Sequence, residues 1–343
     1  MKKFFLLFIF LSGTLISQEK LFQDVLTREV GIKTLVFHDS QRERLLITEI
    51  YHPNHTTSQG KSTKDLFDRN LAAKEIPFLE GKDKLPLILF SHGYKGDRFT
   101  LSWLQETLAS YGYITASVDH FSSTWYLQDP EEAMKRWERP LDIQFVLTSL
   151  LNDPLFGPHI DSERIGFIGY NLGGLTGIWL AGGVANLYRK PNLYDNASFE
   201  LDEGTTDLML SEIDFNKGKE NFKDPRIKAE VLFSPVYGFA FDKEGLSTIQ
   251  IPILIIAGDQ DPADPKENAI HFAKWIPKAN LSLLQGVNTA LFVNERIRLK
   301  DKNIPENFRN LHREIVKKII QFLSAALPSE TVQKIPQLEN TLP

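Results

Sequence analysis

Gly169-Tyr170-Asn171-Leu172-Gly173-Gly174 stands between a β-rich apolar run (164–168) and a helical pattern (172–182). Glycines around one central residue at such a junction make the sharp turn known as a nucleophile elbow, because the backbone there runs close to its neighbours. Asn171 holds the centre, and asparagine tolerates the positive φ that such a turn demands. Its amide has no readily removed proton and is a poor nucleophile beside an activated hydroxyl. Ser91-His92-Gly93-Tyr94-Lys95-Gly96 follows another apolar run (87–90). A turn of this kind offers backbone N–H groups, here Gly93 and Tyr94, to a developing oxyanion, with Leu172 after the elbow as the second donor. Gly258-Asp259-Gln260-Asp261-Pro262 is placed to carry the acid that orients a catalytic histidine, and Asp261 suits that role better than Asp259. Gln285-Gly286-Val287-Asn288-Thr289-Ala290-Leu291-Phe292 is the late loop where the base belongs, and it holds no histidine.

Alternating strands and helices must position these four loops. Runs 29–37 and 45–51 are β-rich and predict an antiparallel start. Strands are expected at 87–90, 113–118, 164–168, 227–233, 253–257 and 281–284, and helices at 99–111, 172–182, 265–275 and 307–326. Segment 130–152 is helical with a break expected at Pro140. Segment 52–84 reads as a polar surface excursion with an amphipathic piece at 65–74. This α/β alternation predicts a mostly parallel sheet of about eight strands covered by helices on both faces. Ligands in such sheets sit at the carboxyl ends of the strands, where the four loops emerge.

Taken in order, these segments resemble the α/β-hydrolase fold, in the branch of bacterial esterases similar to dienelactone hydrolases and platelet-activating-factor acetylhydrolases. The resemblance runs from about residue 29 to residue 323. The family elbow reads G-H-S-x-G-G, so the serine position is Asn171 and the preceding histidine position is Tyr170. The family base loop reads G-A-N-H-x-x-F, so the histidine position is Thr289. Only the acid, Asp261, matches the triad. The resemblance implies carboxylic-ester hydrolysis of acetyl esters or lactones. The substitutions imply instead a pseudo-hydrolase that binds an ester, acyl or lipid-like ligand against Gly93, Tyr94 and Leu172, or interacts with another molecule. An active hydrolase working through water at Asp261 or His120 is the alternative, and an interaction protein using segment 184–223 is a third reading. Ser234, before Pro235, is the one other serine expected near the cleft rim.

Composition narrows the partners. Among 343 residues, 39 Lys and Arg face 44 Asp and Glu, for a formal net charge of −5, which argues against a nucleic-acid binder. The absence of cysteine excludes disulfides, thiolate metal sites and a lipid-anchored Cys. No pair of histidines stands at i, i+4 with a glutamate between, and neither a metal nor another cofactor is expected. Met1-Lys2-Lys3 followed by an apolar run predicts a signal peptide over 1–17 and export to the periplasm or medium, leaving 18–343 as one domain with a possible lid at 184–223. Asn54-His55-Thr56 and Asn196-Ala197-Ser198 match glycosylation acceptors.

Overall fold

Leu85–Ser91 (β4), Ile160–Tyr170 (β6), Ile227–Phe233 (β7) and Ile253–Gly258 (β8) supply the interior strands, and their apolar residues are buried nearly throughout. Strands of that kind, covered on both faces, are what a parallel sheet requires. The computed structural model describes residues 30–54, 72–74, 84–187, 203–293 and 306–328. Val30–Asp39 (β1), Arg44–Pro53 (β2), Ala72–Lys74 (β3), Ile114–Val118 (β5) and Ala279–Leu284 (β9) complete the sheet, in the order β3-β1-β2-β5-β4-β6-β7-β8-β9. The β1–β2 hairpin is antiparallel, as its sequence predicts, and β2 pairs antiparallel with β5. From β5 to β9 every pairing is parallel. The ninth strand is the short β3, which replaces the end of the amphipathic piece expected at 65–74.

The helices are Ser102–Ser110 (α1), Pro130–Met134 (α2), Glu138–Asn152 (α3), Leu172–Leu180 (α4), Glu203–Glu212 (α5), Lys243–Ser247 (α6), Ala269–Trp275 (α7) and Glu306–Ala326 (α8). One face of the sheet packs on a core that includes Trp137, Val146, Ile178 and Trp179; the other packs on α1 and α8 through Leu104, Leu108, Ile315 and Ile319. The break in 130–152 falls between Met134 and Glu138, not at Pro140. Pro140 lies in the first turn of α3, where a backbone N–H has no intrahelical partner to lose. Within the aperiodic segment 184–223, Leu187, Ile213, Phe215 and Phe222 are buried against the core. A lid there remains an expectation, because 188–202 lie outside the described residues, as do the leader and the acceptor at Asn196. Asn54 of the other acceptor is buried, and His55 and Thr56 lie outside the described residues.

Glu230, in the middle of β7, has no exposed surface, and neither carboxyl oxygen has a hydrogen-bond partner. It lies under the elbow helix, where a Cβ at Gly177 would stand 2.8 Å from Oε2. Burial pushes its pKa well above the ordinary carboxyl value. A raised acid stabilises the fold fully below the unfolded pKa of 4.5 and loses that contribution as pH rises towards its folded value. Glu230→Gln, which does not titrate, is therefore expected to gain on the parent by up to about 1.4 kcal/mol per pH unit above pH 5. Melting temperatures of both proteins from pH 5 to 8 check this; parallel curves would contradict it.

Candidate functional site

The elbow forms as its glycines require. Asn171 has φ 54° and ψ −109°, outside both helix and strand regions, and its N–H donates to Phe233 O (2.9 Å) of β7. A side chain at Gly173 would strike Ser91 O, so only glycine lets α4 approach β4 this closely. At Gly93, a Cβ would meet the Asn171 Cβ at 2.9 Å, which shows how near the oxyanion turn lies to the elbow. The Tyr94 N–H donates to Asn171 Oδ1 (3.3 Å). The Asn171 amide thus seats its own carbonyl oxygen on one of the expected oxyanion donors.

The other two triad positions are joined to different partners. Thr289 Oγ1 donates to the Tyr170 hydroxyl (3.1 Å), which donates to Thr289 O (3.3 Å). Tyr170, the residue before Asn171, therefore reaches across to Thr289. Asp261 Oδ2 accepts from Ser234 Oγ (2.5 Å) and from the Gly258 N–H (3.1 Å). Its Oδ1 is buried and makes no hydrogen bond of ordinary geometry, although the Thr289 N–H lies close enough to favour the charged form. Burial wins over these contacts and raises the Asp261 pKa. Asp261 thereby ties the end of β7 to the end of β8. Asp259 instead accepts from the exposed Gly286 N–H (2.7 Å).

The base loop is fixed from behind. Trp103 Nε1 of α1 donates to Phe292 O (2.9 Å), and His312 Nε2 of α8 bonds to Leu291 O (2.9 Å). The two rings stack at 3.7 Å between centroids. Burial lowers the His312 pKa to about 4, so the ring is neutral and donates.

His120, the histidine at the end of β5, does not face Asp261. Its Nδ1 bonds to Asp142 Oδ2 (2.9 Å) and its Nε2 to Ser91 Oγ (2.8 Å). Serine, histidine and aspartate stand in triad order here, yet all three are buried. A working triad also needs an acid free to stabilise the imidazolium. Asp142 is already held by Arg44 (Nε, 2.8 Å) and Arg42 (Nη1, 3.0 Å). Burial and the charges of Arg139, Arg44 and Arg42 push the His120 pKa well down. The His120 ring is a neutral strut between Ser91 and Asp142. His92 is another: the His120 N–H donates to Nε2 (3.2 Å), so Nδ1 carries the proton and donates to Gly93 O (2.8 Å). Sequence reasoning missed this network, although Arg139 and Asp142 at i, i+3 on a helix beside Ser91-His92 were its signal.

Two loops on the carboxyl side are zipped together at the rim. Trp125 Nε1 donates to Asp97 Oδ2 (2.9 Å), Tyr126 donates to Asp119 Oδ2 (2.5 Å), and Arg98 pairs with Asp119. Trp125, Tyr126 and Leu127 are exposed, with their polar atoms turned inward where they have them. Five non-glycine residues with positive φ, Lys95, Ser122, Asn171, Ser234 and Tyr237, lie in loops that leave the carboxyl ends of β4, β5, β6 and β7.

A mostly parallel sheet with an elbow after β6, an oxyanion turn after β4 and an acid after β8 defines an α/β-hydrolase-fold protein. Residues 63–146 match the family model described as platelet-activating factor acetylhydrolase, isoform II. The chain is thus similar to that ester-hydrolase family over a stretch that includes the oxyanion turn, His120, Arg139 and Asp142. The match ends before Asn171, Asp261 and Thr289. No curated protein compared with the chain matches it. Among the described residues no helix is long and apolar enough to cross a membrane, and no cluster of His, Asp and Glu could hold a metal ion.

Proposed function

We propose that this is an exported α/β-hydrolase-fold protein that binds an ester, acyl or related oxygen-bearing ligand in the cleft and does not hydrolyse it by serine–histidine chemistry. The observation that carries this reading is the Tyr94 N–H bond to Asn171 Oδ1: the donor is aimed and in use, while the residue at its centre cannot attack. The Tyr170–Thr289 pair supports it, because no general base can enter the position it fills. The strained loops favour a binding cleft over a vestigial one. Positive φ at non-glycine residues costs on the order of 1 kcal/mol or more each and persists where surrounding structure enforces it, often at functional sites.

Purified residues 18–343 should turn over 4-nitrophenyl acetate no faster than the Asn171→Ala variant does. Hexanoate, used as an acyl probe, should raise the melting temperature of the parent and lose that effect in Gly93→Val, whose side chain would fill the turn. Esterase-like turnover that disappears in Asn171→Ala would refute the reading.

A further inference from the structure

Arg139 is a buried cation beside the Ser91-His92 turn that no carboxylate holds directly. It lies in the first turn of α3 and is 3% exposed. Among the described residues it makes no ion pair, whereas Arg42 and Arg44 nearby share Asp39, Glu132, Glu138 and Asp142. Its donors go to neutral oxygens of three separate site segments. Nη2 donates to His92 O and, at 3.4 Å, to Ser91 Oγ, both in the oxyanion strand and turn. Nη1 donates to Ser123 Oγ (3.0 Å) in the rim loop after β5. Nε donates to Thr176 Oγ1 (3.4 Å), one turn into the elbow helix.

We propose that Arg139 is the positioning residue of the oxyanion turn: its planar fork fixes the turn, the rim loop and the elbow helix relative to one another. This deepens the proposed function by naming what keeps the Tyr94 donor aimed. The physical grounds are geometric. A guanidinium presents five donors in a rigid plane, so one side chain can set three segments at once, whereas an ammonium is a point donor on a flexible stem. The bond to His92 O is charge-assisted and stronger than a neutral one. It acts on the peptide next to Gly93, two residues from the Tyr94 N–H. Burial, with Arg136 and Arg44 adding to it against Asp142, lowers the Arg139 pKa to about 9, so the group is still charged at pH 7. Keeping a desolvated charge with neutral partners only is costly.

The test is hydrogen exchange read by mass spectrometry on the peptide 91–97 and on the strands β6 to β8, for the parent, Arg139→Met and Arg139→Lys. Arg139→Met is expected to speed exchange in 91–97 by tenfold or more while exchange in the strands changes less than threefold. Arg139→Lys should recover only part of the protection, because its ammonium cannot bridge three segments. Equal exchange in 91–97 for the parent and a folded Arg139→Met would overturn the proposal, as would full protection in Arg139→Lys. If Arg139→Met fails to fold, Arg139→Lys alone decides by the same comparison. The hexanoate experiment stands apart from this one. Loss of ligand binding with Arg139 behaving as expected would remove the proposed function and leave the positioning role intact.

Discussion

Lowering the pH from 7 to 5 is expected to remove a large part of the folding free energy. Four histidines are buried neutral. Burial, with Lys33 adding to it, lowers His52 to about 4, burial lowers His312 to about 4, and burial with the Arg139 charge pushes His92 and His120 well below 6.5. A histidine depressed in the fold contributes stability that is full above its unfolded pKa near 6.5 and is lost as pH falls towards its folded value. Four such groups make the unfolded chain bind up to four more protons. Glu230 works the other way, since it is protonated in the fold and ionised in the unfolded chain over this range. The net is about three protons, or roughly 4 kcal/mol per pH unit below pH 6. Against a typical total of about 5–15 kcal/mol, this is a large share of the stability. Asp97 and Asp261, both raised by burial, soften the slope only at the acid end. Circular dichroism between pH 8 and 4 measures the transition, and His120→Gln should make it shallower by about one proton. A fold unchanged down to pH 4.5 would contradict the neutral struts.

The second large effect is gain of catalysis. Asn171→Ser with Thr289→His alone leaves the Tyr170 hydroxyl bonded to the carbonyl of residue 289, close to where the new ring must sit. The triple variant Tyr170→His, Asn171→Ser and Thr289→His frees that position and returns the family's elbow pattern. Asp261 Oδ1, buried without a hydrogen bond of ordinary geometry and near the Thr289 N–H, is then available to the imidazole. A complete triad contributes about 10⁶ in kcat, because its members act as a unit. Even an imperfectly placed one should raise 4-nitrophenyl acetate hydrolysis at least ~10³-fold over the parent. The double variant is expected to fall at least tenfold short of the triple, and Asp261→Asn should silence the triple. A folded triple variant no faster than the parent would mean that the loops have moved out of register.

The sheet was legible because its strands are continuous apolar runs and its helices have clean apolar stripes, as in Leu104 and Leu108 or Ile315, Ile319 and Leu323. The elbow could be read from its glycines, since close approach to Ser91 leaves no substitute for Gly173. Local patterns do not carry what lies far apart in sequence. The reach of Tyr170 to Thr289 spans 119 positions, and the bond from Arg139 to His92 spans 47. Nothing in the residues around Asp261 announces that Ser234 will hold it. The displaced helix break has a simpler cause: proline inside a helical pattern reads as a stop, yet in the first turn it costs no hydrogen bond. Short β3 has three residues and no periodicity to detect.

In the proposed binding site the Asn171 carbonyl competes with any ligand oxygen for the Tyr94 N–H. Any visiting oxygen must displace a tethered amide whose local concentration far exceeds that of a free molecule. Net affinity is then a difference between two hydrogen bonds to one N–H, and a neutral ester carbonyl, no better an acceptor than the amide, gains little from the exchange. Oxygens bearing a fuller negative charge make the stronger bond. In the proposed binding site Asn171 therefore favours acyl oxygens bearing a negative charge over ester carbonyls.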